Sequence, residues 1–167
     1  MGEVVYTAER VLPSLYFVGK KMDEKDGLGN KSTIAFRDEV IESKQLEILK
    51  ELEGNFDDSL TCLMINEEDF SYWVGYFFEK SSNIPDGFDY MELPKSRVVV
   101  TWLKGKQSTS DLYGQDAIAQ SLLALKNADI IKDVNFDRVH YYYERYDNRR
   151  FNFSNDETIL DYGFYIQ

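Results

Sequence analysis

One cysteine, one histidine and three prolines are all that this 167-residue chain has of those residue types. A single thiol, Cys62, excludes an internal disulfide. It sits in the apolar run 60–65 and reads as a small buried hydrophobe. A thiol nucleophile would want an imidazole, and the only one, His140, is far away in sequence. Without a His/Cys cluster no metal site is expected, and the acidic run Glu67-Glu68-Asp69 reads as a solvated turn.

Basic residues are also scarce. Lys and Arg total 19 against 30 Asp and Glu, a net charge of -11. Duplex binding relies on cations that neutralise phosphates, so a direct nucleic-acid partner is excluded. An anionic membrane surface is disfavoured for the same reason. No apolar run is long enough to span a bilayer, and no signal peptide opens the chain. A cytoplasmic location follows as the expectation, and the sequons at Asn30 and Asn152 then carry no meaning. Gly27 and Gly29 interrupt a charged loop over 23–30, but no Gly-Lys-Ser/Thr follows, which removes a phosphate-cradling loop.

What the chain has in quantity is aromatic side chains: 12 Tyr, 11 Phe and 2 Trp, 15% of all residues. That share exceeds what packing requires, and a ligand pocket would explain the excess. The densest stretch is Tyr141-Tyr142-Tyr143-Glu144-Arg145-Tyr146. Aromatic residues favour a pleated, half-buried surface, and side chains alternate faces along a strand. Tyr142, Glu144 and Tyr146 then share one face, with Tyr141, Tyr143 and Arg145 on the other. A carboxylate among rings loses hydration and needs a donor or a cation. Such a face could receive a large, flat, cationic ligand.

Strands are expected at 11–22, 60–65 and 71–80, with a helix over 38–53 between the first two. In 71–80, Tyr72, Val74, Tyr76 and Phe78 face one way, and Trp73, Gly75 and Phe77 the other; Gly75 suggests a bulge or a close backbone approach. Residues 81–87, with Asn83, Pro85, Asp86 and Gly87, are a turn region that divides the chain nearly in half. The order then repeats: a strand at 97–104, a helix at 112–126 with Ile118, Leu122 and Leu125 on one stripe, the tyrosine strand at 138–147, and a last strand at 158–166. The expected fold is α+β, one domain over 1–167 made of two strand-helix-strand-strand repeats, about 11–80 and 88–166. Antiparallel sheets with helices on one side, related by a pseudo-twofold axis, would leave a ligand groove between the halves.

Three places in this order resemble the GyrI-like effector-binding domain, the ligand-sensing part of multidrug-responsive transcription regulators. They are Tyr72-Trp73-Val74-Gly75; then Ile84-Pro85-Asp86-Gly87 with Leu93-Pro94 and the strand from Val98 to Gly105; and Tyr143-Glu144-Arg145-Tyr146. The chain departs from the family pattern at Lys95-Ser96, where glycine usually follows the proline. The resemblance implies a stand-alone binder of lipophilic, often cationic xenobiotics, active in xenobiotic resistance, with no cofactor. It places Glu144 at the base of an aromatic pocket. Tyr142 and Tyr146 share its face, Trp73 and Trp102 are candidate walls, and the face of Tyr72, Tyr76 and Phe78 is either groove or helix underside. A hydrolase of cyclopropane-type electrophiles is the catalytic alternative, with Glu144 as general base and Tyr142 as proton donor. A DNA gyrase inhibitor is a third, through a gyrase or regulator partner.

Overall fold

The computed structural model describes residues 1–22, 32–66, 70–79, 84–136 and 139–166. The 23–30 loop, the acidic run 67–69 and residues 81–83 of the turn region lie outside the described residues. The chain is α+β and antiparallel. Its strands are β1 (Glu3–Leu12), β2 (Leu15–Lys21), β3 (Leu60–Ile65), β4 (Ser71–Phe78), β5 (Asp89–Leu93), β6 (Ser96–Lys106), β7 (Val139–Tyr146) and β8 (Glu157–Ile166). Its helices are α1 (Thr33–Glu42), α2 (Glu47–Lys50) and α3 (Gln115–Asn127).

Two compact units are formed. Pro13–Lys95 is contiguous; the other is discontinuous, Met1–Leu12 with Ser96–Gln167. In the contiguous unit the strands pair in the order β3-β4-β2-β5. In the discontinuous unit the order is β7-β8-β6-β1. Each is therefore a strand-helix-strand-strand unit with one added strand against its first. The added strands are β5 and β1, neither of which the pattern reading anticipated. In chain order β1 precedes β2 but pairs with β6, and β5 precedes β6 but pairs with β2.

Local chemistry explains where the elements start and stop. The first expected strand divides at Pro13-Ser14, so Val11 belongs to β1 and β2 begins at Leu15. The first helix starts earlier than expected because Ser32 caps it: its hydroxyl accepts from the Ala35 amide at 3.1 Å. It ends at Glu42, and Lys44 at φ 60° breaks the helical path, which leaves α2 as a separate turn. In α3 the buried residues Ala117, Ile118, Ser121, Leu122 and Leu125 form the stripe that covers β6 and β1.

Both faces of the central strands are buried, so their side chains run apolar or aromatic on consecutive positions. In β4 every residue from Tyr72 to Phe78 is buried. Space for so many rings comes from glycine. Gly19 and Gly75 stand opposite each other on β2 and β4, and a methyl on Gly75 would lie 2.1 Å from the Val18 carbonyl oxygen. The close approach expected at Gly75 is what the structure has. In β8, a methyl on Gly163 would lie 2.0 Å from Tyr143 Cζ, because the Tyr143 ring lies across that glycine. Under α3, Thr101 of β6 and Ser121 of the helix are both fully buried, and neither hydroxyl has a hydrogen-bond partner among the described residues.

Two substitutions test this packing. Gly75→Ala forces two backbones apart and should cost about 2–3 kcal/mol in urea unfolding; an unchanged midpoint would contradict the close approach. Thr101→Val keeps the shape and removes an unpaired hydroxyl, so it should raise stability by up to about 1 kcal/mol. A fall in the melting temperature would mean that this hydroxyl is bonded.

Candidate functional site

The site is built from β7 outward. β7 pairs with β8, Tyr142 opposite Phe164, Glu144 opposite Tyr162 and Arg145 opposite Asp161, with one irregularity between Val139 and Tyr141. Cross-strand partners point to the same side. One face of this pair therefore carries Tyr142, Glu144, Tyr146, Phe164 and Tyr162. The rings are ordered against one another. Tyr142 stacks with Phe164 (centroids 6.1 Å, 17°) and Phe164 with Tyr162 (5.9 Å, 10°). Phe136 meets Tyr142 edge-on at 5.3 Å. Tyr146 meets Phe151 edge-on at 4.7 Å and stacks on Phe153 at 5.4 Å.

Glu144 stands in the middle of this aromatic surface, half-buried. Its Oε1 accepts a hydrogen bond from the Tyr146 hydroxyl at 2.8 Å. Burial raises the Tyr142 hydroxyl pKa far above its ordinary value, and the negative charge of Glu144 raises it further. Tyr142 is therefore a neutral donor at any physiological pH. The Tyr162 hydroxyl donates to the Leu112 carbonyl at 2.5 Å, which locks that ring.

The opposite face of β7 and β8 has different chemistry. Arg145 Nη1 lies 2.9 Å from both Asp161 Oδ2 and Asp147 Oδ2. Arg150 Nε donates to Asp161 Oδ1 at 2.8 Å, and its Nη2 to Asp147 Oδ2 at 3.0 Å. Arg149 joins the cluster through Nε, 2.9 Å from Asp147 Oδ1. Bonds from Arg149, and the charges of Arg145 and Arg150, hold the Asp147 carboxyl well below the usual range. The Arg150 guanidinium lies 4.0 Å over the Trp102 ring, whose centroid is 4.2 Å from that of Tyr6. Trp102 pairs with Asp161, so it shares the face of Arg145 and not that of Glu144. Strand register therefore turns the Trp102 indole to the ionic side.

In the contiguous unit, Tyr72, Tyr76 and Phe78 share a face of β4. Phe36 of α1 meets Tyr72 edge-on at 6.2 Å, so this face is a helix underside at Tyr72. Burial, with the charges of Asp58 and Glu47, pushes the Tyr76 pKa up to about 12. Trp73 points to the other face, edge-on to Phe17 at 6.3 Å, with the Lys21 ammonium 5.8 Å from its ring. β4 thus separates Trp73 from the other three.

Pattern reading put Tyr142, Glu144 and Tyr146 on one face, as the structure does, but did not anticipate Phe136, Phe151, Phe153, Tyr162 and Phe164 beside them. Tyr162 and Phe164 carried a signal, since they alternate two apart in the last strand. The three phenylalanines outside strands carried none. Cys62 is fully buried in β3, as its apolar run indicated. Among the described residues no group of three or more His, Cys, Asp or Glu could hold a metal ion, and no helix is long and apolar enough to cross a membrane. A cavity of about 380 Å³ lies at the other end of β7, walled by Leu122, Val139 and Ile166, with Arg97, Lys132, Asp129 and Asp133 also lining it.

No family model matches the sequence, and no curated protein matches it significantly. Solved structures match the fold. SAV2435 bound to tetraphenylphosphonium aligns at TM-score 0.62 and 17% identity, over 98% of this chain and 94% of that one. A putative bacterial transcription regulation protein from Staphylococcus aureus MU50 aligns at TM-score 0.61 and 17% identity, over 97% and 98%. The EcmrR C-terminal domain aligns at TM-score 0.53 and 9% identity, over 97% of each chain. These neighbours are consistent with the GyrI-like effector-binding fold that the motifs resemble.

The raised tyrosines make a pH prediction. Tyr76, Tyr142 and Tyr165 all have folded pKa values above the unfolded value near 10. Their stabilising contribution is complete below pH 10 and is lost as pH rises through the folded values. Stability should fall above about pH 10, by up to about 1.4 kcal/mol per pH unit for each such tyrosine. Urea titrations at stepped pH check this: Tyr142→Phe should show a shallower alkaline fall, and an identical fall would mean that Tyr142 is not a contributor.

Proposed function

We propose that this chain is a small-molecule-binding domain whose ligands are lipophilic, aromatic and commonly cationic, held at the Glu144 face of β7. The observation that carries this reading is the Glu144 carboxylate, fixed by the Tyr146 hydroxyl and surrounded by the rings of Tyr142, Tyr146 and Tyr162. A carboxylate placed in an aromatic surface is costly to keep dehydrated, and a delocalised cation offsets that cost because it loses little hydration itself. Ring faces add cation–π attraction of roughly 0.5–2 kcal/mol each. Dispersion against large rings supplies affinity without demanding one ligand shape. The fold supports the reading from a second direction, since a structure of similar fold carries tetraphenylphosphonium. In this proposal Glu144 is the charge anchor, Tyr142 a neutral wall with a donor hydroxyl, and Tyr146 the group that orients the carboxylate.

Titration calorimetry with tetraphenylphosphonium tests it. The wild-type protein should bind, and Glu144→Gln, which keeps the shape and removes the charge, should weaken binding about tenfold or more. Tyr146→Phe should weaken it less, because the anchor loses its orientation but keeps its charge. Equal affinity for wild type and Glu144→Gln would sink the anchoring role.

A further inference from the structure

We propose that Phe153 is a ligand-selecting side chain of this site, favouring cations that carry aryl groups over alkyl cations of the same charge. The inference rests on the binding reading above and specifies what that site would prefer. Phe153 lies in the connection between β7 and β8, in no regular element, and the residue is 48% exposed. A half-exposed phenylalanine is unremarkable by itself. Here its neighbours and its backbone give it a role.

The ring stacks on Tyr146 at 5.4 Å and 19°, and meets Phe151 edge-on at 4.8 Å and 69°. Tyr146 in turn donates to Glu144. Phe153, Tyr146 and Glu144 thus form a continuous row from solvent to the charge anchor. A bulky cation resting on the carboxylate would reach this row before it reached the buried rings of Tyr162 or Phe164.

The connection is also held in place. The Gln107 side-chain amide lies within hydrogen-bonding distance of three of its carbonyls, those of Asn152 (3.1 Å), Phe153 (3.3 Å) and Asn155 (2.5 Å). Ser108 bonds both carboxylate oxygens of Asp156, at 2.8 and 2.9 Å. The Asn152 amide donates to Thr158 Oγ1 at 2.9 Å, and the Phe151 amide to the Asp147 carbonyl at 2.7 Å. The ring is therefore presented with its backbone already ordered, so a ligand that stacks on it need not order the segment first. An aryl ligand gains ring–ring geometry there; an alkyl cation gains only non-directional contact. Gln107 is the positioning residue, acting through the three carbonyls.

The full chain is titrated with tetraphenylphosphonium and with tetrabutylphosphonium. Phe153→Leu, which keeps apolar bulk and removes the ring, should weaken the aryl probe roughly five- to tenfold and the alkyl probe less than about twofold. Phe153→Tyr should restore aryl affinity to within about twofold. Gln107→Ala should reduce aryl affinity by roughly threefold with the alkyl probe unmoved. A selectivity ratio unchanged in Phe153→Leu overturns the inference and leaves the binding reading standing, whether both probes weaken together or neither does. Wild-type protein that binds neither probe removes the binding reading and this inference with it.

Discussion

Asp161 is almost completely buried in the middle of β8, where a carboxylate is tolerable only because Arg145 and Arg150 both reach it. That ionic cluster ties β7, β8 and their connection into one piece. It also settles a question of charge. Arg145 follows Glu144 directly, but strand alternation sends it to the opposite face, where Asp147 and Asp161 take up its guanidinium. The acidic residue and the basic residue of one dipeptide thus serve two separate environments. A slip of one position in the β7–β8 register would exchange them and put an arginine among the rings.

The aromatic content has two uses in the structure. In the contiguous unit it is largely core: Phe17, Phe77 and Phe78 are buried on both sides of β2 and β4, and paired glycines let the backbones come close beneath them. In the discontinuous unit a similar density of rings surrounds a carboxylate, and one ring, Phe153, stays open to solvent. Each unit orders its four strands in the same way, so the difference lies in what the strands carry and not in how they are joined.

Much of this was legible from periodicity. The repeated strand-helix-strand-strand order, the shared face of Tyr142, Glu144 and Tyr146, the α3 stripe and the close approach at Gly75 all follow from spacing rules that act locally. What was not legible depends on partners remote in sequence. β1 and β5 have weak patterns of their own and are strands because β6 and β2 offer them a ladder. The side of the sheet that Trp102 faces follows from its register with Asp161, a partner nearly 60 positions away. Phe153 had no signal, since an aromatic residue in a connection acquires meaning only from the Tyr146 ring it stacks on and the Gln107 amide that holds its backbone. The early start of the first helix had a signal in the N-cap residue Ser32, which lies ahead of the expected 38–53 span.

The exchange of the added strands bears on how the molecule is made. Leu12 pairs with Ser96 and Glu3 with Lys104, so the β1 ladder joins residues roughly 90 positions apart. A ribosome has therefore released all of the contiguous unit before β1 has anything to pair with. Until then the β1 sequence, which bears Val5 and Val11, has no strand partner and its amides and carbonyls bond only to water. Among the described residues β1 pairs only with β6 and so remains an edge strand after folding, where the charges of Glu3, Glu9 and Arg10 along it guard against pairing with another chain.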